Sequence, residues 1–171
     1  GAVILSSGAE PGDSVVVGVD LDGRVHPSFA INWDSTSFKS GEILLRQLGS
    51  MREIAERGLV TAGKDISNPG MLGTLGMLLE SSRTGAVVDL DKIPKPEGME
   101  MLSWQKMYPG MGFVVTAPPA KAEEVVRIFR VRGLNSAVIG RVTGERRLVI
   151  ESSSEKAVLF DFVAETITGI R

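Results

Sequence analysis

Cysteine is absent from this chain of 171 residues, histidine occurs once, and aromatic residues make up only 5%. Without a thiol there is no disulfide, no thiolate metal site and no cysteine nucleophile. His26 has no second imidazole with which to form a metal pair or a catalytic dyad, and its place after the Asp-Gly turn of "DLDGRVHP" reads as that of an ordinary exposed or satisfied histidine. Charge of one sign is also scarce: 19 Lys and Arg against 21 Asp and Glu leave a net charge of −2, without the basic excess that binding to phosphate backbones draws on. No apolar run approaches the ~20 residues that a membrane span needs, and the opening "GAVILSSGAEPGDSVVVGVD" lacks the basic start of a signal peptide. Nucleic acid and membrane are therefore not expected partners, and the cytoplasm is the expected location. No methionine precedes Gly1, and "GAVILSS" reads like interior sequence. The expectation is a piece of a longer protein, with Gly1 a remnant of cloning.

What is present suffices for one core: 43% of residues are hydrophobic and 23% charged. "SVVVGVD", Ser14 to Asp20, is a β-branched strand followed by a turn. From Ser40 to Arg57, apolar Leu44, Leu48, Met51 and Ala55 recur on one face of an amphipathic helix, with Gly58 at the place of a C-terminal cap. "LVTAGK" is a short strand; Pro69 to Ser81 is a helix carrying Met71, Leu72, Leu75, Leu78 and Leu79, with Ser67 or Asn68 as its cap; "GAVVDLD" is the next strand. A short helix in "GMEMLSWQKM", a strand in "GMGFVVTAP" and a third long helix with Ala122, Val125, Val126 and Phe129 on one face follow. Three strands, "NSAVIGRV", "RRLVIES" and "KAVLFDF", complete the chain. Strands and helices interleave without strict alternation, which predicts an α+β fold with a mixed sheet covered by helices.

Few residues suggest chemistry. Asp20 and Asp22 begin as a calcium loop does, but no glutamate closes such a loop, and turn formation accounts for them. "INWDSTS", Ile31 to Ser37, reads as a polar loop that caps the following helix. Gly70, Gly73 and Gly76 each cost about 1 kcal/mol in a helix relative to Ala, so they imply close packing against a neighbouring backbone or a ligand. The segment "KDISN" gathers the carboxylate of Asp65, the hydroxyl of Ser67 and the amide of Asn68, hard oxygen donors of the kind magnesium accepts while bridging to phosphate, with the cation of Lys64 alongside. On residue types alone, a phosphate or metal site and a plain Asx turn stand level.

Five elements in order resemble the C-terminal domain of the aminoimidazole ribonucleotide (AIR) synthetase superfamily over the last two thirds of the chain. They are the D-x-S-[DN]-x-G loop at Asp65 to Gly70, the small-residue helix ending in "LLESS", "GAVVDLDKIP", "GFVVTAPP" and "AVIGRV". Relatives include thiamine monophosphate kinase, selenophosphate synthetase, formylglycinamidine ribonucleotide synthetase and a hydrogenase-maturation dehydratase; the resemblance is strongest to a synthetase-related, methanogenesis-marker-like branch. The resemblance implies a three-layer, partly ferredoxin-like unit at residues 41–171, with residues 1–40 a lead-in strand and linker from a missing N-terminal ATP-binding domain. It implies ATP and magnesium as cofactors, both needing that missing domain, phosphoryl transfer to a small-molecule substrate, and a homodimer in the full-length protein. By similarity Asp65 and Asn68 fall at magnesium positions, and Lys64, Ser67 and Gly70 line the nucleotide. Pro69 departs from the usual glycine and removes a backbone N–H, and Asn68 replaces a more usual aspartate. These departures favour the alternative reading, a non-catalytic ligand-binding or assembly domain that has kept the fold.

Overall fold

A computed structural model describes residues 2–153 and 155–169. The strands are β1 (Ser14–Val19), β2 (Arg24–His26), β3 (Phe29–Asp34), β4 (Ala62–Asp65), β5 (Gly85–Asp89), β6 (Tyr108–Pro109), β7 (Gly112–Ala117), β8 (Asn135–Thr143), β9 (Arg147–Ser152) and β10 (Glu155–Asp161). The α-helices are α1 (Gly41–Glu56), α2 (Gly70–Ser82), α3 (Met101–Gln105) and α4 (Pro119–Val131). Seven strands form one mixed sheet in the order β10-β9-β5-β8-β1-β7-β4, in which β5 and β9 are parallel and the other neighbours antiparallel.

The period of two along β1 builds three layers. Val15, Val17 and Val19 point to the core shared with Leu75, Leu78 and Leu79 of α2, while Val16 points to the opposite core with Ile54 of α1 and Val125, Val126 and Phe129 of α4. Position 18 shares the face of Val16 and is glycine there, since a Cβ would stand 2.5 Å from the Phe129 ring, which stacks on Phe113 at 6.2 Å between centroids. The α+β class and the layering are as expected. The strand of the lead-in segment, β1, occupies an interior position between β7 and β8.

Two local expectations are corrected. Residues 31–37 are not a loop throughout: Asn32, Trp33 and Asp34 lie on β3, part of a small second sheet β2-β3-β6, and Trp33 is buried edge-on to Trp104 at 5.7 Å. Ser40, not this segment, caps α1 by accepting from the Ile43 N–H at 3.4 Å. The inward face of α1 is also rotated. Gln47, Ser50 and Ile54 are buried, whereas Leu48 is 48% exposed. Two polar side chains take the inner face because they find partners there: the Gln47 Nε2 donates to Asp20 Oδ2 at 2.7 Å, and the Ser50 hydroxyl donates to the Gln47 carbonyl at 2.6 Å.

Asp34 fastens the corner between β3 and α1. Its carboxylate accepts the Ser37 hydroxyl, the Ser37 N–H at 3.0 Å and the Thr36 N–H at 3.3 Å. The Ser37 side-chain bond above all, then the Ser37 backbone bond, lowers its pKa from 3.8 to about 2. A lowered carboxylate stabilises the fold above its unfolded pKa, and that contribution disappears as pH falls through the folded value. We therefore expect the stability gap between the parent and Asp34→Asn to be constant above about pH 4 and to close between about pH 4 and 2. Urea unfolding midpoints of both proteins across that range check this; a gap that widens on acidification would contradict it.

Candidate functional site

Strand β4 runs beside β7 with Lys64 opposite Val114 and Asp65 opposite Phe113. The chain then dips: Ile66 is buried, 5% exposed, and its N–H donates to the Gly112 carbonyl at 2.9 Å. Beside that anchor Asp65 and Asn68 are exposed, and Lys64 and Ser67 are half-buried. The four side chains sit around the N-terminal end of α2.

The helix start differs from the sequence expectation by one residue and in chemistry. Pro69 occupies the cap position without a side-chain cap, and α2 begins at Gly70. Neither Ser67 nor Asn68 caps the helix. Instead the Thr74 hydroxyl accepts the Ser67 N–H at 3.2 Å, and the Ser67 carbonyl accepts the Gly70 N–H at 2.8 Å. The loop is thus stitched by its own backbone, and these two amides are committed internally. Gly70 has φ +72 and is buried; a Cβ there would lie 2.2 Å from the Gln105 carbonyl oxygen. Its glycine is required by the close passage of the connection from α3 to β6.

Among the described residues the Asp65 carboxylate forms no hydrogen bond or ion pair, so its charge is available to an external cation. No group of three or more His, Asp or Glu side chains that could hold a metal ion occurs among the described residues. The donor set is one carboxylate with neutral oxygens from Ser67 and Asn68, which fits a magnesium ion that keeps waters and takes phosphate oxygens, not a dedicated protein cage.

A second polar group, not foreseen from sequence, lies at the same end of the sheet, since Val19 of β1 pairs with Gly112 and Asp65 pairs with Phe113. The Lys39 Nζ is 2.5 Å from Asp20 Oδ2 and donates to the Asp22 carbonyl at 2.7 Å. Asp20 also accepts the Asp22 N–H at 3.0 Å, which is the turn chemistry expected of "DLDG". His26 accepts the Ser28 N–H on Nδ1 at 3.1 Å, an ordinary turn role. The Asp20–Lys39–Gln47 group carried no sequence signal, because its members are separated by 19 and 27 residues.

A residue with a Cβ at position 70 must adopt a left-handed backbone and displace a carbonyl. We expect Gly70→Ala to lower stability by more than about 2 kcal/mol with no nucleotide present. Chemical denaturation of the two proteins checks this; equal midpoints would show that the turn relaxes freely.

Residues 10–153 match the family described as AIR synthase related protein, C-terminal domain. The chain is 43% identical over 167 residues to protein MJ0640 of Methanocaldococcus jannaschii, covering 98% of this chain and 52% of that protein. It is 30% identical over 168 residues to sll0787 of Synechocystis sp., again covering 98% and 52%. It therefore spans about half the length of these curated relatives. In fold it is similar to PurL of Thermotoga maritima complexed with ATP, with a TM-score of 0.76 at 21% identity, covering 95% of this chain and 27% of that one. It is likewise similar to the HypE–HypF complex, with a TM-score of 0.68 at 16% identity, covering 94% and 56%. The fold is thus that of a known domain, and the chain belongs to the AIR synthase related C-terminal domain family.

Proposed function

We propose that this chain forms one wall of an ATP- and magnesium-dependent active site in an AIR synthase-related enzyme. The enzyme activates an oxygen or carboxamide-like group of a small-molecule substrate by phosphoryl transfer. The observation that carries the reading is the Asp65 carboxylate, exposed and without a partner among the described residues, at the mouth of α2. Support comes from fold relatives: Thermotoga maritima PurL has been solved with ATP and with FGAR, and HypE with ATP.

In this reading Asp65 and Asn68 hold magnesium, the Ser67 hydroxyl meets the nucleotide, and Lys64 attracts phosphate. Magnesium, when bound, neutralises phosphate charge. Ile66 and Gly70 position these groups, the first by its bond to Gly112 and the second by its fit against Gln105. The remaining ligands, the substrate contacts and a homodimeric assembly fall to the part of a longer, cytoplasmic protein that this chain does not cover. A second reading, a binding or assembly domain without chemistry, is favoured by the committed amides of Ser67 and Gly70 and by Pro69, which together leave few N–H groups to meet a phosphate.

Two measurements test the proposal. In the longer natural protein Asp65→Asn should lower ATP turnover by about 10²–10³-fold at saturating magnesium, the scale of one lost transition-state contact, with an unchanged melting temperature. Unchanged turnover would favour the non-catalytic reading, since Asn preserves an Asx turn. The present chain alone, with one wall of the cleft, should bind magnesium–ATP with a Kd weaker than about 1 mM by calorimetry. Micromolar binding by the chain alone would overturn the two-wall scheme.

A further inference from the structure

The opposite end of α2 carries a second feature. A cavity of about 660 Å³ opens there, lined by the last turn of α2 (Glu80, Ser81) and the following Arg83, by Arg146 between β8 and β9, and by the segment after β10 that includes Phe162 and Glu165. Its volume is that of a small-molecule site. At about 1.5 Å per residue, the 13 residues of α2 place it roughly 20 Å from Asp65.

The walls carry two arginines and two glutamates. Glu80, only 3% exposed, accepts the N–H groups of Ile167 and Thr168, each at 2.8 Å, and the Thr168 hydroxyl. Glu165 Oε1 accepts the Asp161 N–H at 3.1 Å. Among the described residues neither Arg83 nor Arg146 forms an ion pair or a side-chain hydrogen bond, although Arg146 acts on Glu80 through its charge. Arg83 and Arg146, both exposed, thus stand in the lining of a chamber whose buried carboxylate is already hydrogen-bonded. Arg83 is one of two described non-glycine residues with positive φ, at +56, where Gly or Asn is the usual helix terminator. A side chain held in that backbone at the rim of this cavity points to a role in the cavity.

We propose that this cavity is a second ligand site, distinct from the Asp65 loop, which takes a small molecule bearing an oxyanion, phosphate or carboxylate, between the guanidinium groups of Arg83 and Arg146. Guanidinium pairs match both anions through forked hydrogen bonds. The buried Phe162 supplies an apolar wall beside them.

The test is an amide NMR titration of the protein with inorganic phosphate and, separately, with succinate, at an ionic strength fixed by sodium chloride. Saturable shifts at residues 81–84, 146 and 162–166 are expected below about 20 mM of at least one anion. A response to phosphate alone identifies a phosphate-bearing ligand, and a response to succinate alone a carboxylate. The R83N/R146Q variant, in which Asn suits the left-handed backbone, should melt no lower than the parent and bind at least about tenfold more weakly. Arg52→Gln, on the outer face of α1, should bind like the parent. Absence of saturation with both anions, or equal affinity in R83N/R146Q, would overturn the proposal.

Discussion

Helix α2 is pressed into the sheet along almost its whole length: ten of its residues, from Gly70 to Glu80, are buried. A surface helix shows the core one stripe, whereas this one meets neighbours on nearly every side, and small residues are what make that possible. A Cβ at Gly73 would lie 2.5 Å from the Pro69 side chain, and one at Gly76 2.7 Å from Ile167. Each glycine is intrinsically unfavourable in a helix by about 1 kcal/mol, and burial of Leu75, Leu78 and Leu79, each about 1.5–3 kcal/mol, outweighs it. Once the helix is seated, its two ends have no freedom to wander. The polar loop before Gly70 is pushed outward by the anchoring of Ile66, and the last turn is fixed through Glu80 to Ile167 and Thr168.

The other side of the molecule is held by charge. Lys39, with 7% of its side chain exposed, is placed between the Asp20 and Asp22 carboxylates, and Gln47 joins Asp20 to the Gly133 carbonyl. Removing a buried cation from its partners is costly, so replacing one member alone would leave the others unpaired. This group ties the end of β1, the start of α1 and the end of α4 into one corner. It thereby supports the sheet end at which the Asp65 loop emerges, without touching that loop.

Most of the fold can be read from residue patterns because those patterns are local. The valines of β1 and the apolar face of α4 announce themselves by period, and Ala122, Val125, Val126 and Phe129 are all buried. The inward face of α1 cannot be read this way, because Gln47 and Ser50 displace leucines from it through partners remote in sequence. Trp33 pairs with nearby Val25, but its other neighbours, Pro109 and Trp104, are remote in sequence. At the candidate site the loop "KDISN" was legible as a polar mouth, and its exposure follows from the anchor at Ile66. The internal stitching was not legible, since the Thr74 hydroxyl that holds the Ser67 amide stands seven residues on and looks like any helix threonine. Arg83 was equally silent, because a left-handed φ has no signature in an arginine.

The position of β1 bears on how the chain must be made. Its partners are far along: Ser14 pairs with Ala117 on one side and Arg141 on the other. At roughly 5–20 residues per second, the ribosome needs about 5–20 s to supply the first of these partners after β1 has emerged. During that interval the run from Val15 to Val19 has neither neighbour strand nor covering helix α4, and it is an apolar, β-branched segment of the kind that associates when left open. The sheet therefore closes late and around its earliest strand, so nascent chains depend on something else to shield "VVVGV" until β7 arrives.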